Sequence, residues 1–199
     1  MIDIWLVLNL SLQIFAIMDP PASLPALISV LENLDRDRAR GLINKASIAI
    51  LILLLTFSIA GGLILRLFGI SLTSLRIAAG VILMAIAIDM LITGHKPEKI
   101  ESGEYVIVPI ATPLIVGPGT MTLLITSSHI YGVLVTTIAS LFAFIPTYIL
   151  LRSSQTLFKL LGKTFVNGLG RFMSIIIASF AAQMLLNGIY SAIHEFTNT

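Results

Sequence analysis

Two stretches of this sequence set prolines, small residues and hydroxyls inside surroundings that are otherwise apolar: Asp19-Pro20-Pro21-Ala22-Ser23-Leu24-Pro25 and Thr112-Pro113-Leu114-Ile115-Val116-Gly117-Pro118-Gly119-Thr120. Proline has no amide hydrogen and clashes with the carbonyl four residues earlier, so Pro20, Pro21 and Pro25 release the carbonyls of Ala16, Ile17 and Pro21 from helical bonding. A helix broken in this way presents a half-helix amino terminus, whose amide donors and partial positive charge suit a carboxylate. Its freed carbonyls suit an ammonium group or a metal cation. That pairing fits a zwitterion, and a small amino acid held between the two breaks is the expected ligand. The expected binding set is Asp19, Pro20, Pro21, Ala22 and Ser23 with Thr112, Pro113, Gly117, Pro118, Gly119 and Thr120, and Thr122 adds a further hydroxyl. Small side chains at Ala22, Gly117 and Gly119 let the backbone approach the ligand.

Asp19 is the one acidic residue deep inside an apolar run, where an isolated carboxylate costs about 3 kcal/mol or more. Two roles fit: contact with the substrate or a coupling ion, and capping of the half-helix that follows. A proton or sodium ion is the natural coupling ion, and no other cofactor is implied. There is no cysteine, and His95, His129 and His194 are scattered, so neither a metal site nor a thiol nucleophile is expected. His129 beside Ser127 and Ser128 is the only place to look for hydrolytic chemistry, without paired acids to support it. An enzyme is therefore not expected.

These residues need elements that hold them inside lipid. Hydrophobic residues make up 57 % of the 199, charged residues 11 %, and mean hydropathy is +1.02, beyond what a water-soluble domain can hide. Apolar runs extend over Ile4–Leu31, Leu42–Phe68, Leu72–Ile92, Tyr105–Ser127, Tyr131–Leu151 and Phe172–Ile193, each long enough for a helical crossing. They predict one all-α membrane domain, 1–199, with six spans, of which the first and fourth are broken. Ten of the twelve Lys and Arg residues fall near the first, third and fifth connections (32–41, 94–104 and 152–171), which the positive-inside rule places in the cytoplasm with both termini outside. The net charge of +2 is thus accounted for by topology, and no nucleic-acid partner is implied.

The halves 1–94 and 105–199 repeat each other. Asp19-Pro20 and Pro25 correspond to Thr112-Pro113 and Pro118, 93 positions on, and Asp89-Met-Leu-Ile-Thr-Gly94 corresponds to Gln183-Met-Leu-Leu-Asn-Gly188, 94 positions on. Arg76 and Arg171 differ by 95. With three crossings in each half, the second repeat enters the membrane inverted, as in many secondary transporters. Arg76 and Arg171 are candidates for gating opposite entrances, or for snorkelling to the headgroups. Asp89, Gln183 and Asn187 are candidates for capping or bridging helices, and Gly61, Gly62, Gly80 and Gly188 for close helix packing.

Taken together, Asp19 to Pro25, Gly69-Ile-Ser with Arg76-Ile-Ala-Ala-Gly80, the Asp89-Met-Leu ending and Pro113-Leu-x-x-Gly-Pro-Gly119 resemble the MarC family of prokaryotic membrane proteins, within the wider group of LysE-type amino acid exporters. The resemblance runs over nearly the whole chain. It implies six spans, a multi-pass protein of the plasma membrane and, for some members, transport of small neutral amino acids such as glycine and alanine. Ala22 departs from the glycine that the family often carries there, which bears on the size of the pocket. The alternative reading is a cation channel or passive small-solute pore, since exposed carbonyls also conduct cations. No oligomeric state follows from the motifs.

Overall fold

A computed structural model describes residues 3–31, 34–94 and 115–197. Thr112, Pro113, the connection 94–104 beyond Gly94 and the first part of the Tyr105–Ser127 run lie outside the described residues. Among the described residues the chain is helical throughout, without strands. Helix α1 spans Ile4–Met18, and a single 3₁₀ turn over Pro21–Ser23 leads into α2, Leu24–Leu31. Then come α3, Arg36–Phe68, α4, Leu72–Thr93, α5, Pro118–Tyr131, α6, Val133–Arg152, and α7, Ser154–Thr197, which is kinked at Gly162.

Among the described residues five stretches are long and apolar enough to cross a bilayer: Ile4–Ile28, Arg36–Phe68, Leu72–Thr93, Val133–Arg152 and Thr164–Thr197. Helix α5 has 14 residues and is too short to cross alone. Two boundaries differ from the expectation. Helix α3 begins six residues before the apolar run, because Asp35 caps it, accepting the Arg38 amide at 2.8 Å. The connection expected over 152–171 is mostly helical, because its Leu, Gln and Lys residues favour helix as strongly as the apolar run does. Apolarity marks the lipid-facing length, and helix propensity carries both rods beyond it.

The helices form two groups. Helices α1, α3, α5 and α6 pack on one another, and α4 pairs with α7. The pair is antiparallel: Gly94 at the end of α4 lies against Asn167, and Gly188 of α7 lies against Ile77 and Arg76 near the start of α4. Gly80 sits where the axes come closest, since a β-carbon there would lie 2.9 Å from the Ala181 carbonyl oxygen and 2.7 Å from Leu185 Cγ. Only glycine permits this approach. Gly61 and Gly62 separate in role. A β-carbon on Gly61 would collide with Ile125 of α5, whereas Gly62 faces open space.

The apolar interior divides along the same line. The larger cluster draws Val7, Leu10, Ile14 and Met18 of α1 together with residues of α2, α3, α5 and α6. The smaller is built from Leu83, Ala87 and Met90 of α4, Ile177 and Ala181 of α7, and Ala22. Gly80→Val drives a branched side chain into a backbone carbonyl and is expected to cost about 1–3 kcal/mol, seen as a lower melting temperature of the purified protein in detergent. Gly62→Ala, measured alongside, is expected not to lower it.

Candidate functional site

The first break lies on the seam between the two groups. Helix α1 stops at Met18 because Pro20 and Pro21 cannot continue it. Asp19 takes the left-handed conformation, φ 42° and ψ 60°, and is the sole non-glycine residue with positive φ among the described residues. That conformation costs an L-residue about 1–2 kcal/mol, and aspartate tolerates it better than most because its short polar side chain bonds locally. The bonds are present. The Asp19 amide donates to the Phe15 carbonyl at 3.0 Å, closing α1, while its Oδ1 accepts from the Ala22 amide at 3.4 Å, opening the turn that follows. Ser23 Oγ donates to the Asp19 carbonyl at 3.4 Å, and the Ser23 amide donates to the Pro20 carbonyl at 3.2 Å.

Asp19 thus joins two helical pieces from a position that is 0 % exposed. Of the two roles open to it, capping is visible in the hydrogen bonds. Met18, on one side, belongs to the larger apolar cluster, and Ala22, on the other, belongs to the smaller. Pro20 and Ser23 are buried and Pro21 is half-buried.

The second break is described from Ile115 onward. Ile115 and Val116 are buried in the larger cluster with Met18. Gly117, extended at φ −93° and ψ −174°, is the N-cap of α5 and supplies no side-chain cap; Pro118 follows at the first helical position. Gly119 presses on α4, where a β-carbon would lie 2.5 Å from Leu83 Cδ1. Leu83 belongs to the same small cluster as Ala22, so the two breaks flank one group of side chains at the seam. Helix α1 also packs directly on α5.

The first turns of α5 are polar and buried. Thr120 Oγ1 donates to the Ile115 carbonyl at 3.3 Å. Thr122, 1 % exposed, has a hydroxyl with no hydrogen-bond partner among the described residues, and the same holds one turn further for the Thr126 hydroxyl. A buried hydroxyl without a partner costs about 1–3 kcal/mol, and Ser47, Thr136 and Ser154 on other helices carry such hydroxyls too. Among the expected site residues, then, Asp19 to Ser23 and Gly117 to Thr120 come to one seam, while Thr112 and Pro113 lie outside the described residues. Leu83 was missed. An isolated leucine in an apolar run carries no signal until the glycine that faces it is known.

The remaining candidates lie elsewhere. Arg171 is exposed, and its Nη2 donates to the Ile92 carbonyl at 3.5 Å, placing a cation at the carboxyl end of α4, where the helix dipole favours it. Arg76 is half-buried beside Gly188. The Asp89 carbonyl accepts from Thr93 Oγ1 at 2.9 Å within its own helix. Gln183 and Asn187 bridge no helices: Gln183 Nε2 donates to Asn187 Oδ1 at 2.9 Å along α7, on an exposed face. His129 is exposed in the last turn of α5, about 18 Å along that helix from Gly117. With Arg66 and Ser128 it lines a cavity of about 390 Å³ remote from the breaks. No cluster of His, Cys, Asp or Glu among the described residues could hold a metal ion.

A profile described as the MarC family integral membrane protein matches residues 5–193. The chain is 34 % identical over 190 residues to the UPF0056 inner membrane protein YhgN of Escherichia coli, covering 92 % of this chain and 95 % of that protein. It is 32 % identical over 194 residues to a UPF0056 membrane protein of Methanocaldococcus jannaschii, covering 91 % and 94 %. A UPF0056 membrane protein of Pyrococcus abyssi is 32 % identical over 186 residues, covering 90 % and 92 %. No solved structure matches the chain.

The capping geometry generates a stability test. Asp19→Ala removes the acceptor and puts an ordinary L-residue in the left-handed region, with an expected loss of about 2–3 kcal/mol. Asp19→Asn keeps the acceptor and the tolerance, and thermal unfolding in detergent is expected to leave it close to the parent protein.

Proposed function

The chain belongs to the MarC family of integral membrane proteins, and we propose that it is a secondary transporter of small neutral amino acids of the glycine and alanine class, with its substrate bound at the seam between the two breaks. The observation that supports the reading is that the two breaks flank one group of side chains, Ala22 beside Asp19 and Gly119 at the uncapped start of α5 both meeting the cluster that holds Leu83, with the Thr122 hydroxyl one turn along α5 lacking a partner among the described residues. Amide donors at the start of α5 suit the substrate carboxylate. The Asp19 carboxylate suits its ammonium group or a coupling proton or sodium ion. Leu83 against Gly119, with Ala22 nearby, leaves little volume, which favours a side chain no larger than a methyl group.

The wider arrangement in this proposal has six crossings in two inverted repeats, 1–94 and 105–199, in the cytoplasmic membrane. Its termini are external and its basic connections internal. Two features support the repeat. Gly94, which ends α4, lies against Asn167 of α7, and Gly188 of α7, 94 positions on, lies against Ile77 and Arg76 near the start of α4. Packing of α5 on α4 likewise has its counterpart in packing of α2 on α7. Transport then proceeds by displacement of the two helix groups across the seam, opening it to one side and then the other.

Protein reconstituted in liposomes preloaded with unlabelled glycine is expected to accumulate labelled glycine or alanine by saturable counterflow. Asp19→Asn is expected to reduce the rate at least tenfold without unfolding the protein. Unitary cation currents without counterflow would replace this reading with a channel, and failure of transport under both proton and sodium gradients would defeat it.

A further inference from the structure

The outer face of α7 carries polar groups that the transport reading does not use. Between Arg171 and His194 this helix has an uncharged run, 172–193, whose midpoint falls at Ala182 and Gln183. Asn187 lies one turn, about 6 Å, further on. The side of α7 bearing Ile177, Ala181 and Gly188 is buried against α4. On the opposite side Gln183 and Asn187 are exposed amid the exposed apolar side chains of Ile175, Leu186 and Tyr190.

Two carboxamides therefore face outward near the middle of the hydrocarbon. Their mutual bond at 2.9 Å uses one Gln183 N–H and the Asn187 oxygen. The Gln183 oxygen and the Asn187 amide hydrogens remain, and acyl chains offer neither donor nor acceptor. Headgroups lie about half the hydrocarbon thickness from Gln183, and one helical turn less from Asn187. Ser179, one turn earlier on the same face, already donates to the Ile175 carbonyl at 2.9 Å and adds no demand of its own.

We propose that this face is the docking surface for a second copy of the chain, α7 against α7 about a two-fold axis along the membrane normal. The occupant follows from complementarity. The Gln183–Asn187 pair leaves an acceptor and donors side by side, so an identical pair turned by the two-fold supplies the matching donors and acceptor. Polar side chains bonded across helices hold membrane helices together in this way, with Leu186 and Ile175 packing around them. The face lies opposite the α4–α7 contact, so docking leaves the seam free to move.

The chain has no cysteine, which allows single-cysteine crosslinking of the full-length protein in native membranes and in liposomes. Leu186→Cys under mild oxidation is expected to give a disulfide-linked dimer, while Ile149→Cys, equally exposed but on α6, is expected to give none above background. Adding Gln183→Leu and Asn187→Leu to Leu186→Cys is expected to reduce the dimer fraction about tenfold at low protein-to-lipid ratio; leucine suits a lipid-facing position, so the monomer should still fold. The proposal is overturned if Leu186→Cys gives no dimer, if both cysteine positions crosslink alike, or if the double leucine change leaves the dimer fraction unaltered. A crosslink to a different protein in place of a dimer also overturns it.

Discussion

Within hydrocarbon every backbone amide and carbonyl must find its partner inside the protein, and this constraint governs the structure. A continuous helix meets it automatically, whereas a chain carrying Pro20, Pro21 and Pro25 in its first crossing cannot. The solution is local. Asp19 turns into the left-handed region, its amide finishes α1, and its carboxylate starts the next turn. The rest is then obliged to bury this joint, and α4, α5 and α7 pack around it.

The same constraint explains why the break coincides with the boundary between helix groups. A buried carboxylate and an uncapped helix start are poor material for the centre of an apolar cluster, where each costs several kcal/mol. Met18 and Ala22, four residues apart, accordingly face different clusters. The hydroxyls of Thr122 and Thr126, without partners among the described residues, extend this polar line along α5.

Much of this was legible in the sequence, for physical reasons that can be named. Proline announces a break wherever it sits in an apolar run, so the interruption at Asp19 to Ser23 and the start of α5 at Pro118 were readable. Among the described residues hydropathy located five of the six expected spans, with boundaries off by up to eight residues, and the expected fourth lies largely outside them. Hydropathy was silent on the helix within the 152–171 connection because it reports solvent preference rather than helicity, and a charged segment can be largely helical. Side-chain direction was not readable at all. Nothing in Gly61-Gly62 says which glycine meets Ile125, and nothing in Gln183 and Asn187 says that they bond along one helix rather than across two. Those outcomes depend on rotation about the helix axis, which is set by packing.

The makeup of the smaller cluster has a mechanical consequence. Of its six members only Ala22 comes from outside the α4–α7 pair, so the first break meets that pair with a single methyl group, as Gly119 meets it with none. The larger cluster, with its leucines and isoleucines from α1, α2, α3 and α5, is deeply meshed and resists shear. Packing is therefore distributed unevenly: a deeply meshed block on one side, a tightly glycine-matched helical pair on the other, and between them a seam where Ala22 and Gly119 bring little or no side chain.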